Sequence, residues 1–270
     1  MTNPFSYTGK RVLITGAASG IGAELVTLLA DLGAEHITAL DIAEPSGKVD
    51  EFIRTDLSDP AAIDAAVAAL PGPLDALFNN AGVAATLPAR TVLSVNYLAA
   101  RRLGEKLSGY IRPGGSITQT ASITGNRWAE HVEPIKELIA IDGWDHALAW
   151  VDAHPDLVAD SYSFSKEVVQ YYTMQASRAS AARGIRTNSV CPAAVQTPLL
   201  VDFKAVMTEK VIDWQAREAN GRLCTAAEAA NALAFLGSDA ATYINGLNLI
   251  VDGGFGAAMT TNQVDFSGLG

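Results

Sequence analysis

The hydrophobic and polar positions of this chain alternate between two patterns, short apolar runs and longer segments with helical periodicity. Each apolar run predicts a strand buried on both faces, and each periodic segment predicts an amphipathic helix. The predicted strands are Arg11–Thr15, His36–Leu40, Phe52–Leu57, Leu74–Phe78, Gly114–Ser122, Ile185–Val190 and Leu247–Val251. Strands and helices that alternate in this way are typical of a doubly wound parallel sheet. We therefore predict an α/β fold, with residues 1–270 forming a single domain around a parallel sheet of about seven strands.

Two segments depart from this alternation. Residues 126–160 predict a helical insertion ahead of a long helix that begins at Ser161, and residues 199–220 predict a helical flap over a pocket. The insertion contains His131, His146 and His154, but their spacing fits no metal-ligand motif, so we expect surface histidines and no metal site. The tail beyond Phe255 is predicted to be loosely ordered or to dock on a neighbouring subunit.

The composition narrows the choice of partners. The chain has 270 residues, of which 49% are hydrophobic, with a formal net charge of −10. An acidic chain does not favour nucleic acid or an anionic membrane surface, and no apolar run is long enough to span a bilayer. The first residues lack the pattern of a signal peptide, and Cys191 and Cys224 form no paired motif, so we expect a cytoplasmic protein with a small-molecule ligand.

A glycine-rich turn follows the first predicted strand. Gly16, Gly20 and Gly22, with Ser19 and Ile21 between them, lead directly into the first helix. Glycines let main-chain N–H groups approach a ligand closely, and a helix start attracts phosphate. Taken alone, this turn could equally be a plain structural turn. The second strand is followed by Asp41, which could bind a ribose 2′-hydroxyl and would repel a 2′-phosphate, so the sequence favours NAD over NADP.

Further polar or small residues lie at or beyond the predicted strand ends. Asp56, next to Leu57, could meet an adenine ring or cap the following helix. After the fourth strand, the run Asn80-Ala81-Gly82 suits close backbone approach to a ligand. Asn96 lies inside the predicted helix 92–106, where an asparagine is unfavourable, so it either faces water or serves the function.

The sharpest chemical pairing is Tyr162 with Lys166. They stand one helical turn apart and so share a face of the helix that starts at Ser161. A phenol has a pKa near 10 in water, and a fixed ammonium is expected to lower it into the range where proton transfer is efficient. Ser122, at the end of the fifth predicted strand, could join this pair or could simply cap the strand end.

Together these motifs resemble the short-chain dehydrogenase/reductase family, from about Lys10 to Phe255. The resemblance rests on Thr15–Gly22, Asn79–Gly82, Asn96, Ser122, Tyr162 with Lys166, Pro192, Thr197-Pro198 and Val251–Gly254. It implies a Rossmann fold, with Tyr162 as general acid/base, Ser122 on the substrate oxygen and Lys166 on the nicotinamide ribose. It also implies that Asn96 anchors a water of a proton relay. The cofactor contacts implied elsewhere are Leu57, Asn80, Ala81 and Gly82 on the adenosine side, and Pro192, Val195 and Thr197 near the carboxamide.

The sequence departs from the family pattern in three places, of which the first two point to a sub-branch. Only 13 residues separate Gly82 from Asn96, Ser122 and Tyr162 lie 40 apart, and Ala193 replaces the usual glycine after the proline. The first two resemble the coniferyl-alcohol dehydrogenases and the 3α-hydroxysteroid dehydrogenase/carbonyl reductases. We expect a homodimer or homotetramer, in which the 126–160 insertion walls the pocket and alters the face through which family members usually assemble.

The leading hypothesis is an NAD-dependent alcohol dehydrogenase or carbonyl reductase for a hydrophobic cyclic or aromatic substrate. Besides Ser122, the candidate pocket residues are Ile123, Trp128, Trp144, Leu199, Met207 and Trp214, each of which could equally be core. One alternative is a reductase of carrier-bound or coenzyme A-bound ketoacyl groups, for which the chain lacks a basic patch. The other is a non-catalytic NAD-binding regulatory protein.

Overall fold

The computed structural model describes residues 3–269 and contains a central sheet of seven parallel strands in the order β3-β2-β1-β4-β5-β6-β9. These strands are β1 Arg11–Thr15, β2 His36–Asp41, β3 Glu51–Arg54, β4 Leu74–Asn79, β5 Ile111–Thr120, β6 Arg186–Pro192 and β9 Asn248–Val251. A small second sheet pairs β7 Val195–Gln196 with β8 Cys224–Thr225. The predicted α/β class with a doubly wound parallel sheet is therefore confirmed.

Eleven α-helices accompany these strands in the described residues. They are α1 Gly20–Asp31, α2 Pro60–Ala69, α3 Ala89–Leu93, α4 Ala99–Leu107, α5 Val132–Ala140, α6 Trp144–Ala153, α7 Ser161–Ala181, α8 Leu200–Met207, α9 Glu209–Glu218, α10 Ala226–Gly237 and α11 Phe255–Thr260. A π-helical turn, Ser94–Leu98, joins α3 to α4, and 3-10 helices span Ile123–Glu130, Asp239–Ala241 and Phe266–Leu269.

The alternation of side chains along β1 places the sheet between two apolar layers. Val12 and Ile14 pack on the side of α1 and α10, whereas Leu13 packs on the side of α2 and α4. All three are fully buried, as the apolar run predicts for a central strand. Because all seven strands run parallel, their carboxyl ends lie along one edge of the sheet, where a ligand site of this fold class lies.

Several element boundaries differ from those predicted. β3 ends at Arg54, so Thr55, Asp56 and Leu57 belong to the following loop. β5 ends at Thr120, and Ser122 is the N-cap of the 3-10 helix that follows. The predicted helix 92–106 contains a π-helical turn at Asn96. These differences matter because they concern residues of the site.

The insertion forms a third apolar cluster over α7. Ile135 and Leu138 of α5 and Leu148 and Val151 of α6 are buried there against Val168. Of the three histidines expected at the surface, His146 is exposed, and His131 and His154 are half-buried. In the insertion, His131 Nδ1 lies 2.6 Å from Glu167 Oε2, and the ring of His154 stacks on Trp150.

The tail is ordered against α9, contrary to the expectation of a loose end. Trp214 contacts Phe255 edge-on, with ring centroids 5.3 Å apart, and also contacts Phe266. Its indole Nε1 donates to Asp265 O at 2.8 Å. Within residues 3–269 no helix is long and apolar enough to cross a membrane, and no cluster of side chains suits a metal ion.

Candidate active site

The turn between β1 and α1 requires glycine for reasons of space. A Cβ added at Gly22 would lie 1.9 Å from Gly16 O, and one added at Gly16 would lie 2.6 Å from Ala81 Cα. Both neighbours are backbone atoms, so neither can move aside easily. Ser19, the N-cap of α1, makes no capping hydrogen bond with its side chain. The hydroxyl and the first amides of the helix are thus available to an anion.

Hydrogen bonds tie the ends of three central strands together. Thr15 Oγ1 accepts hydrogen bonds from Asn80 N and Ala81 N, both at 3.0 Å. Asn80 Nδ2 donates to Gly16 O at 3.0 Å, and Thr120 Oγ1 donates to Asn80 Oδ1 at 3.2 Å. These hydrogen bonds therefore hold the run Asn80-Ala81-Gly82 in place beside the glycine-rich turn.

A cleft of about 480 Å³ opens over these strand ends. Among the predicted cofactor residues, Gly22 lies outside its lining, and the others line it: Gly16, Ser19, Gly20, Ile21, Asp41, Asp56, Leu57, Asn80, Ala81, Gly82, Tyr162, Lys166, Pro192, Val195 and Thr197. The absence of side chains at the glycines leaves room for a long ligand. These residues fit a dinucleotide, because the lining combines the amide donors of the glycine-rich turn with polar side chains such as Tyr162 and Lys166.

Two carboxylates, those of Asp41 and Asp56, line the cleft near the carboxyl ends of β2 and β3. Asp41 Oδ2 accepts from Ala18 N at 2.9 Å, which holds the carboxylate beside the glycine-rich turn. Asp56 Oδ1 accepts from the amide and the hydroxyl of Ser58, at 2.8 and 2.7 Å. The capping role considered for Asp56 belongs to Asp59, which is the N-cap of α2.

The structure brings Ser122, Tyr162 and Lys166 together. The Tyr162 hydroxyl lies beside the Ser122 side chain, and Lys166 Nζ lies 5.5 Å from the centroid of the Tyr162 ring. The ammonium donates to Thr120 O at 2.8 Å. Ser122 Oγ also accepts from Thr124 N at 3.2 Å, so the capping role and the placement beside Tyr162 coexist.

Burial dominates the proton affinities of this group. It raises the pKa of Tyr162 to about 12, against which the Ser122 hydrogen bond acts in the lowering direction. Burial also lowers the pKa of Lys166 to about 8. The expected lowering of the phenol pKa by Lys166 is thus wrong for the chain by itself, because burial raises this pKa and the influence that lowers it comes from Ser122. At neutral pH the phenol keeps its proton and can donate it.

Asn96 is buried in the π-helical turn and does not face water. Its Oδ1 accepts from Val83 N at 2.8 Å, and its Nδ2 donates to Val83 O at 3.1 Å and to Ser165 Oγ at 3.0 Å. It thereby joins the loop after β4 to the helix that carries Tyr162. π-helical turns occur frequently at functional sites. The water that the family resemblance implies here remains a prediction.

The predicted pocket residues separate into two groups. Leu199 lines the cleft, and Ile123 and Met207 line an adjoining recess of about 40 Å³ next to Ser122 and Tyr162. The three tryptophans do not line either space. Trp128 packs edge-on against Tyr171, Trp144 packs between two core clusters, and Trp214 packs against the tail. An aromatic side chain in an apolar pattern does not by itself distinguish a pocket wall from core.

Sequence reasoning missed Phe203 as a site residue. This side chain of α8 lines both the cleft and the recess, and its ring meets the Tyr162 ring edge-on at 4.7 Å. Its helix buries no side chain fully. The signal that could have found Phe203 was its place in the predicted flap, where it was one apolar position among several.

Comparisons with known proteins agree with this geometry. Residues 10–133 match the family model described as short chain dehydrogenase, and residues 153–256 match one described as Enoyl-(Acyl carrier protein) reductase. The coniferyl-alcohol dehydrogenase of Pseudomonas sp. (strain HR199 / DSM 7063) is 35% identical over 92% of this chain and 96% of that protein. The cis-4-hydroxycyclohexanecarboxylate dehydrogenase of Sinomonas cyclohexanicum is 33% identical over 93% of this chain and 98% of its own.

A solved structure matches closely as well. The 3-alpha-hydroxysteroid dehydrogenase from Pseudomonas sp. B-0831, complexed with NADH, superposes with a TM-score of 0.78 and 31% identity. The match covers 93% of this chain and 98% of that one. The chain belongs to the short-chain dehydrogenase family, a family of oxidoreductases. Alcohol dehydrogenases are among its relatives, and pyridine nucleotides are bound in its structural neighbours.

Proposed function

We propose that the protein is an NAD-dependent oxidoreductase that interconverts a hydrophobic cyclic or aromatic alcohol and its carbonyl compound. The observation that carries the proposal is the group Ser122, Tyr162 and Lys166 at one end of the cleft, with the apolar side chains of Leu199 and Phe203 beside it. Such walls select a substrate by shape more than by hydrogen bonding. The relatives named for coniferyl alcohol, a hydroxycyclohexane carboxylate and a hydroxysteroid support the same substrate class.

The proposed mechanism assigns the proton to Tyr162 and the position of the substrate to Ser122. The nicotinamide supplies the hydride acceptor or donor when it is bound. In carbonyl reduction the Tyr162 phenol donates its proton to the substrate oxygen, while the Ser122 hydroxyl hydrogen-bonds that oxygen. In oxidation Tyr162 accepts the proton of the alcohol. Lys166 places a positive charge next to the phenol, which favours the phenolate that forms on donation.

Asp41 supports the proposed preference for NAD. Its carboxylate lines the cleft, and among the described lining residues the basic side chain present is Lys166, beside Tyr162. Arg54, which neighbours Asp41 in the sheet, donates to Ile42 O and does not line the cleft. A 2′-phosphate would therefore meet a carboxylate without a cation to balance it.

The test is turnover followed by NADH fluorescence against aromatic, alicyclic and steroid alcohols and the matching ketones. We expect Tyr162→Phe to lower kcat by about 10²- to 10⁴-fold, because it removes the general acid/base and keeps the ring that contacts Phe203. Tyr171→Phe, a change on the same helix outside the cleft, is the matched control and should retain full activity. Full activity of Tyr162→Phe would overturn the assigned role.

A second candidate is reduction of carrier- or coenzyme A-bound ketoacyl groups. The model described as Enoyl-(Acyl carrier protein) reductase, matched over residues 153–256, favours it. Adding a ketoacyl-coenzyme A thioester to the same assay separates the two candidates, because turnover of the thioester alone would replace the first proposal. NADH binding without turnover of any substrate would favour the non-catalytic reading.

A further inference from the structure

Helix α7 carries a third polar side chain in line with Tyr162 and Lys166. Gln170 lies four residues after Lys166, so all three project from one face of the helix. The three side chains contact consecutive parts of the segment that follows β5. Lys166 Nζ donates to Thr120 O, the Tyr162 hydroxyl meets the Ser122 side chain, and Gln170 Nε2 donates to Ser122 O at 2.8 Å.

We infer that Gln170 is a positioning residue that holds Ser122 at the distance from Tyr162 which the reaction requires. The inference rests on the proposed function. Ser122 lies beyond the end of β5, so the strand ladder does not fix its peptide group. Its C=O accepts from Gly125 N within its own turn and from Gln170 on α7. Gln170 is thus the contact that ties this carbonyl to the helix that bears Tyr162.

The burial and the hydrogen bonds of the Gln170 side chain support this role. The residue is 1% exposed, and Nε2 also donates to Asn126 Oδ1 at 3.0 Å, so both amide protons have partners. A Cβ added at Gly125 would lie 2.6 Å from Lys166 O and 2.8 Å from Gln170 Nε2. Glycine at position 125 therefore allows the segment to lie directly on α7. A buried amide with two good acceptors has a single preferred orientation.

Loosening Ser122 should change the chemistry as well as the packing. The Ser122 hydrogen bond acts to lower the pKa of Tyr162, so a longer or less frequent contact raises that pKa. Lys166 above the ring, and Asp160 and Cys191, which also act on the phenol, remain unchanged in a Gln170 variant. A change in the pH profile can then be attributed to Ser122.

The experiment compares Gln170→Met with Gln119→Met in the assay with NAD and the preferred alcohol. Gln119 is equally buried, on β5, and no hydrogen bond joins it to Ser122 in the described part of the chain, so it controls for the loss of a buried amide. We expect Gln170→Met to lower kcat about tenfold or more, to move the pH midpoint of alcohol oxidation upward, and to leave the NADH dissociation constant unchanged. We expect Gln119→Met to change none of the three.

A double-mutant comparison gives the sharper result. In a Ser122→Ala background, Gln170→Met should lower kcat less than about twofold, because the hydroxyl that it positions is gone. An equal loss in both backgrounds, or a Gln170→Met variant that behaves like Gln119→Met, would overturn the inference. If Gln170→Met does not fold, Gln170→Asn keeps the amide, withdraws it from Ser122 O and has the same expected outcome. Absence of turnover in the unmodified protein would instead overturn the proposed function.

Discussion

The hydroxyl of Tyr162 lies beside the side chain of Ser122, a residue 40 positions earlier in the chain. The contact joins the segment after β5 to α7 at the end of the cleft, where Lys166 also lies. It acts against the effect of burial, which raises the pKa of the phenol. The proton affinity of the proposed acid/base thus depends on a neighbour from a different element.

This dependence predicts the direction of a pH shift. In the proposed mechanism, oxidation uses an unprotonated Tyr162, so its rate should rise with pH, whereas reduction uses the protonated phenol. Ser122→Ala removes an influence that lowers the pKa, so the midpoint of the oxidation profile should move to higher pH. Initial rates in both directions across pH measure it. Ser108→Ala, a change in a half-buried serine at the end of α4 and outside the cleft, should leave the midpoint in place; a downward shift in Ser122→Ala would contradict the prediction.

A second prediction concerns Gly22. An alanine there places its Cβ within 1.9 Å of a backbone oxygen, so the turn must deform. We expect Gly22→Ala to abolish NADH binding and to lower the free energy of unfolding by about 1–3 kcal/mol. Urea unfolding and a fluorescence titration with NADH measure the two effects. Gly109→Ala, whose added Cβ would meet Arg183 Nη2 only at 3.9 Å, should be neutral in both. Normal NADH binding by Gly22→Ala would disprove the assignment.

The central sheet could be predicted from the sequence because each of its strands is indicated by a short apolar run of consecutive residues. An apolar run such as Val12-Leu13-Ile14 indicates a strand that is buried on both faces, and these three residues are fully buried in β1. Gly16 and Gly22 indicate the turn that follows this strand. Candidate cofactor residues could be found in the same way. They lie at the ends of predicted strands, and the parallel arrangement brings those ends together.

The remaining errors arise from contacts between distant segments. Trp128 and Trp214 lie in apolar patterns, but which of them reaches the cleft depends on how the insertion and the tail pack. The pKa of Tyr162 depends on burial by elements that the spacing of Tyr162 and Lys166 does not reveal. Gln170 could have been predicted from the sequence, because it lies one helical turn after Lys166, at the same spacing that identified Lys166.

A third prediction tests the preference for NAD. Asp41→Asn removes the charge that a 2′-phosphate would meet, and it retains an oxygen that can accept from Ala18 N. We expect the ratio of kcat/KM for NAD to that for NADP to fall about tenfold. Glu44→Gln, which removes an exposed carboxylate outside the cleft three residues later, is the matched control and should leave the ratio unchanged. If the unmodified protein already binds NADP more tightly, the role given to Asp41 is wrong.

The last prediction concerns assembly. The insertion covers part of α4 and α7: Leu148 packs in the same buried cluster as Val168, and Arg101 of α4 donates to Ile139 O and Ile141 O at the end of α5. Side chains buried in this way cannot also contact a second copy of the chain. We therefore expect the protein not to form the tetramer usual for its family through this face. Sedimentation equilibrium and small-angle X-ray scattering give the mass and shape, and a tetramer assembled through α4 and α7 would contradict the prediction.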